Sequence, residues 1–159
     1  MKKPRKAYKP KYVAKNPMLT FFGGMSNQHA DELRILNIKN HGALAAIAQG
    51  NGTRDDWDAL VHAINVGNVL CERGIGNEYR QDMLAARDAL ESCGKRIVKN
   101  NRVILTSDEL KALNAGMEAH DTQLENVRYI DIDRADDEVS RRVRHHINTT
   151  DVRKESAKQ

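Results

Sequence analysis

Apolar residues recur along most of the chain at spacings of three and four, the period of a helix that is buried on one side. The clearest run is Leu110, Leu113, Met117, His120, Leu124 and Val127, stepping 3, 4, 3, 4, 3. It follows Thr106-Ser107-Asp108-Glu109, a capping box whose hydroxyl and carboxylate satisfy the free amides at a helix start. A second run, Met83, Ala86, Leu90, Cys93 and Ile97, predicts a helix opened by Asn77 and ended at Asn100-Asn101. Between Gly52 and Gly74, Thr53 is a good N-cap with Asp55 and Asp56 behind it. The apolar face there is Trp57, Leu60, Val61, Ile64, Leu70 and Cys71.

The first helix is expected from about Asn27 to Gln49, with Leu33, Leu36, Leu44 and Ile47 on one face and Gly50-Asn51-Gly52 as its stop. The last is expected from about Ile130 or Asp133 to Ile147, through Ala135, Val139 and Val143. Arg102 to Leu105 reads as a short extended or β-like link. Short connections between such helices predict an all-α bundle of four to five helices. The expected layout is a flexible basic arm over residues 1–17, one helical domain over 18–147 and a disordered polar tail over 148–159. Phe21 and Phe22, just ahead of Gly23-Gly24, are read as an anchor that pins the arm to the body.

Composition sharpens this picture. The chain has 159 residues, 40% of them hydrophobic. A chain of that length buries roughly 70% of the surface its unfolded form exposes, so one sizeable core is expected. The 4% of aromatic residues argues against a recognition surface built mainly on ring stacking. No apolar run approaches the roughly 20 residues of a membrane span, and no membrane association is expected. Cys71 and Cys93 both fall within helical patterns. Two such thiols make no disulfide framework and suit a reducing cytoplasm.

Charge is distributed unevenly. Residues 1–15 carry Lys2, Lys3, Arg5, Lys6, Lys9, Lys11 and Lys15 and no acid. Residues 141–159 carry Arg141, Arg142, Arg144, Arg153, Lys154 and Lys158 against Asp151 and Glu155. The remainder holds 13 basic and 20 acidic side chains, so an acidic body bears two basic ends. Pro4, Pro10 and Pro17 and the mutual repulsion of seven like charges keep the arm extended. Such an arm neutralises phosphates without a preformed groove. Lys2, Lys3, Arg5, Lys6, Lys9 and Lys11 are therefore candidate phosphate contacts. Tyr8 and Tyr12 are candidate stacking rings, and Arg141, Arg142 and Arg144 a second foothold. The nucleic acid's type stays open, because lysine reads phosphate and not sequence. The alternative is a protein-interaction module whose acidic body docks on a host factor and whose arm clasps a second copy. A homo-oligomer is compatible with the Leu110–Val127 stripe, although the stripe is too short to establish a coiled coil.

Other candidates have structural explanations. Asp131, Asp133, Asp136, Asp137 and Glu138 lack the glycine and ligand spacing of a calcium loop and read as acids at a helix start. His145 and His146 are adjacent, so on a helix they diverge by about 100° and do not share one zinc ion. No metal site and no cofactor are expected. His120, on the apolar stripe, reads as a core histidine. The turns at Gly50–Thr53 and Gly74–Asn77 match neither a phosphate loop nor a dinucleotide fingerprint, and no nucleophile–base pair stands out. The chain is read as non-enzymatic. Asn40, His41, His62, Asn65 and Asn68 lie on or beside apolar faces. Whether they form a buried polar network or line a pocket stays open.

The segment Ile38-Lys39-Asn40-His41-Gly42-Ala43-Leu44-Ala45-Ala46-Ile47, followed by Gly50, Thr53 and Asp56, resembles small uncharacterised proteins carried by phages and prophages of proteobacteria. The Lys3-Pro4-Arg5-Lys6 arm is similar to the same group. So is Glu109-Leu110-Lys111-Ala112-Leu113-Asn114 with Met117 and His120-Asp121. The resemblance spans most of the chain. It implies a bacterial cytoplasm and a phage-encoded accessory role, and it supplies no reaction or catalytic residue.

Overall fold

The computed structural model describes residues 28–145, with side chains from residue 31. The expected arm, the Phe21–Phe22 anchor, Ile147 and the tail lie outside them. The described residues form an all-α bundle of five helices. These are α1 Gln28–Ala48, α2 Arg54–Glu72, α3 Arg80–Asn100, α4 Ser107–Asn126 and α5 Tyr129–Arg144, with a 3-10 turn at Asn77–Tyr79.

The caps behave as their residue types dictate. The Thr53 side chain accepts from the Asp56 amide while the Asp56 carboxylate accepts from the Thr53 amide, and Thr106 and Glu109 repeat the arrangement at α4. Asn101 adopts φ +50° and ends α3, a left-handed position that Asn tolerates better than most residues. Asn77 does not cap α3 directly. It opens the 3-10 turn, and α3 begins only at Arg80. Residues 102–105 form no strand and cross irregularly from α3 to α4. The Cys93 thiol and Arg96 both donate to the Ile104 carbonyl on that crossing.

The α2 helix is the axis of the bundle, packing against each of the other four. One core joins its Leu60, Ala63 and Ile64 to Ala43, Leu44 and Ile47 of α1, Met83, Ala86, Leu90 and Cys93 of α3, and Leu113 and Met117 of α4. A second, smaller core joins Val66, Val69 and Leu70 to Ala135 and Val139 of α5. Residues 66–71 are thus buried around the whole circumference of α2, as a helix enclosed by neighbours requires. Val143 does not continue the α5 stripe. It is 64% exposed, because α5 runs past the end of α2 there.

Helices α3 and α4 meet at small side chains, Ala86 and Gly116. A Cβ on Gly116 would sit 2.5 Å from the Ala86 Cβ and 3.1 Å from the Ile64 Cδ1. The Ala86 Cβ is fixed to its helix and cannot yield. At Gly67 the obstacle is the end of the Met83 side chain, 2.7 Å away, which can rotate. Gly116→Ala is therefore expected to destabilise the fold by about 1–3 kcal/mol despite alanine's better helix propensity. Gly67→Ala should cost less. Chemical denaturation of the two variants checks the order.

Candidate functional site

The described body has an open groove of about 280 Å³ between α1, α2, α4 and α5. It exists because the two halves of α1 pack differently. Asn40, Ala43, Leu44 and Ile47 in the second half are buried against the bundle, whereas Leu33 and Leu36 in the first half only overhang it. The expected single apolar face of α1 is therefore split. Ile35 and Ile38, on the opposite side of the helix, are 67% and 64% exposed.

The groove floor is apolar, formed by Leu33, Leu36, Ala63, Val66, Leu124 and Ile132. Its polar lining is Glu32, His62, Tyr129 and Asp136, which are exposed or half-buried, with Asn40 and Asp133 buried. The His62 Nε2 donates to the Asp136 Oδ1 at 2.8 Å and ties α2 to α5. On the neighbouring face, the His41 Nε2 donates to the Asp121 Oδ2 at 2.7 Å and ties α1 to α4.

The five polar residues of uncertain role thus part company. Asn40 and His62 line the groove, and His41 bridges helices on the surface. Asn65 is half-buried outside the groove lining. Asn68 is buried structure, its amide donating to the Ile64 carbonyl at 2.9 Å and the Met83 carbonyl at 3.3 Å. A further polar residue in the core, Gln123, stood on no expected face. Its Nε2 lies within hydrogen-bond distance of the Gly67 carbonyl, the Ile75 carbonyl and the Cys71 sulfur, at 3.2, 3.0 and 3.2 Å. The long polar side chain of Gln123, one residue off the stripe beside His120, was its only sequence signal.

His120 is 1% exposed, and its Nδ1 has no hydrogen-bond partner among the described residues. Burial pushes the imidazole down to about 4, against the opposing pull of the Gln123 side chain. His120 does not line the groove. Burial likewise raises the free thiols of Cys71 and Cys93, which disfavours the reactive thiolate.

Three of the eleven expected nucleic-acid contacts fall among the described residues, and α5 uses them differently. The Arg142 guanidinium is largely enclosed, donating to Glu72 at 2.6 and 3.1 Å and to Glu138 at 2.8 Å. Its fork is taken up by the α2–α5 joint, so this member of the expected second foothold is turned into the bundle. Arg141 donates to the same Glu138 at 2.7 and 2.8 Å. Hydrogen bonds from Arg141, opposed by partial burial, and then those from Arg142 hold the Glu138 carboxyl down at about 2. Arg144 is exposed at the helix end. Lys2, Lys3, Arg5, Lys6, Tyr8, Lys9, Lys11 and Tyr12 lie outside the described residues.

The α5 acids are divided among partners. Asp131 pairs with Arg128, Asp136 with His62 and Glu138 with the two arginines. Among the described residues no group of three or more His, Cys, Asp or Glu is placed to hold a metal ion. No described helix is long and apolar enough to cross a membrane. No protein-family model matches the chain, and no curated protein or solved structure matches it.

Two stability predictions follow from this geometry. Glu72→Ala removes two of the three carboxylate hydrogen bonds of a mostly buried guanidinium, leaving only that to Glu138, and is expected to cost about 1–3 kcal/mol, while Glu72→Ala/Arg142→Met recovers part of that loss. A double-mutant cycle by denaturation measures it, and strictly additive losses would contradict the coupling. For His120, the unfolded chain binds a proton below its ordinary value of 6.5 and the folded chain does not until about 4. Its contribution is complete above pH 6.5 and falls away as the pH drops to 4, by at most about 3 kcal/mol. Thermal unfolding of the native chain and His120→Leu between pH 7 and 4 should show a flatter profile for the variant.

Proposed function

We propose that this chain is a non-enzymatic accessory protein of a phage or prophage that binds nucleic acid through its basic N-terminal arm. Its setting is the bacterial cytoplasm, and its work lies in replication, packaging or regulation. The observation that carries this reading is the segregation of charge, with seven cations and no acid in residues 1–15 ahead of a body with an acidic excess. The ion pairing at α5 adds support, because Arg141 and Arg142 are neutralised by acids of the bundle itself. The densest run of cations in the sequence is then the arm, where no acid stands among the lysines. The resemblance to phage-borne proteins supports the accessory role.

In this reading Lys2, Lys3, Arg5, Lys6, Lys9 and Lys11 meet phosphates, Tyr8 and Tyr12 stack on bases, and Arg144 gives an outlying contact. Binding is driven by release of condensed counterions, so affinity falls steeply with salt. The bundle carries the arm and takes little part in the contact.

The test is a salt series with duplex and single-stranded oligonucleotides. Replacing Lys2, Lys3, Lys6 and Lys9 by Gln should flatten the log K against log salt slope on duplex by about 3–4, with the unfolding midpoint unchanged. An unaltered slope, or no binding by the native chain at low salt, overturns the reading and turns attention to the acidic body as a protein-docking surface.

A further inference from the structure

We propose that the groove between α1, α2, α4 and α5 is the seat of the chain's own residues 18–22, with the Phe21 and Phe22 rings against its apolar floor. This does not rest on the nucleic-acid reading and stands or falls separately from it.

The floor supplies the first argument. Leu33, Leu36, Val66, Leu124 and Ile132 come from four helices and converge on one opening, and an aromatic ring is the side chain that removes most such surface from water. The described core contains no phenylalanine, and both phenylalanines of the chain stand at 21 and 22. Residues 18–22, Met-Leu-Thr-Phe-Phe, carry no charge and match an apolar floor.

Reach supplies the second. The groove side of α1 begins at Glu32 and Leu33, within two turns of Gln28. Leu36 lies about 12 Å along the helix from Gln28. Residues 23–27 span up to about 17 Å when extended, and Gly23-Gly24 allows the chain to reverse there. Phe22 can therefore double back along α1 to Leu36 without any rearrangement of the bundle.

Charge supplies the third. The cationic stretch ends at Lys15, three residues before the apolar segment. The groove lining also includes Glu32, Asp136 and the buried Asp133, carboxylates that already have partners and give the lining a negative character. An apolar segment preceded by cations thus faces an apolar floor in a lining of negative character. Seated this way, the basic arm leaves the body from one fixed point.

The test uses the full chain, dilute and free of nucleic acid, with Phe22→p-benzoylphenylalanine as a photo-crosslinker. Irradiation should join position 22 to Leu36, Val66 or Ile132 at the mass of a single chain, mapped by digestion and mass spectrometry. Adding Leu36→Glu, at a partly exposed groove position, should cut that crosslink several-fold while circular dichroism shows the helices intact. Crosslinks found only in covalent dimers would mean that the groove takes a second copy's segment, and would overturn the proposal. So would crosslinks only outside the groove, or a yield indifferent to Leu36→Glu.

Discussion

A helix enclosed on every side leaves no face on which to put polar groups, and its neighbours come close only where side chains are small. Residues 66–71 of α2 are in that position, and much of the bundle answers to it. Gly67 leaves room for Met83 and Gln123, and Gly116 lets α4 meet α3 beside Ile64 of α2. Two buried amides at this centre, Asn68 and Gln123, donate to backbone carbonyls. Asn68 joins α2 to α3, and Gln123 joins α4 to α2 and to the turn that follows it. An amide buried without partners would cost as much as a core methyl group or more. These bonds therefore fix the register of α4 and of the 70s turn against α2 as well as holding them.

Around this centre the charged residues mostly bind the bundle to itself. Arg142 closes α5 on α2 through Glu72, and Arg96 closes α3 on the start of α4 through Glu109, which also completes the α4 capping box. His62–Asp136 and His41–Asp121 are lighter ties at the surface, of the exposed kind that adds little stability. Arginines engaged in this way, Arg96, Arg141 and Arg142 among them, are held by the bundle's own acids. That is why net charge alone is a poor guide here, and why the location of the charge carries the functional reading.

Local chemistry was readable from the sequence, and distant pairing was not. Thr106 and Glu109 sit three apart and form their box within one helical turn, so the pattern in the sequence and the hydrogen bonds coincide. The Leu113, Met117, His120 and Leu124 positions are buried as their spacing requires. Arg142 looked like a surface cation because its partner, Glu72, is 70 residues away. Val143 looked buried because periodicity does not reveal where the neighbouring helix ends. The groove was invisible for the same reason: its floor draws one or two residues from each of four helices, and no one helix carries a signal for it. Asn77 failed as a helix cap because Gly76, at φ +66°, lies against Gln123 and starts a tighter turn first.

Trp57 is the chain's one tryptophan, and its setting gives the protein an internal optical reporter. The indole Nε1 donates to the Leu90 carbonyl at 3.1 Å, and its six-membered ring covers Gly94, where a Cβ would come within 2.6 Å. The ring is thus clamped at the α2–α3 joint, among residues that do not line the groove. Its fluorescence registers loss of the central packing and should be largely silent to events at the groove or the chain ends. A change in tyrosine emission with constant tryptophan emission would separate motion at the periphery, where Tyr129 lines the groove, from opening of the bundle itself.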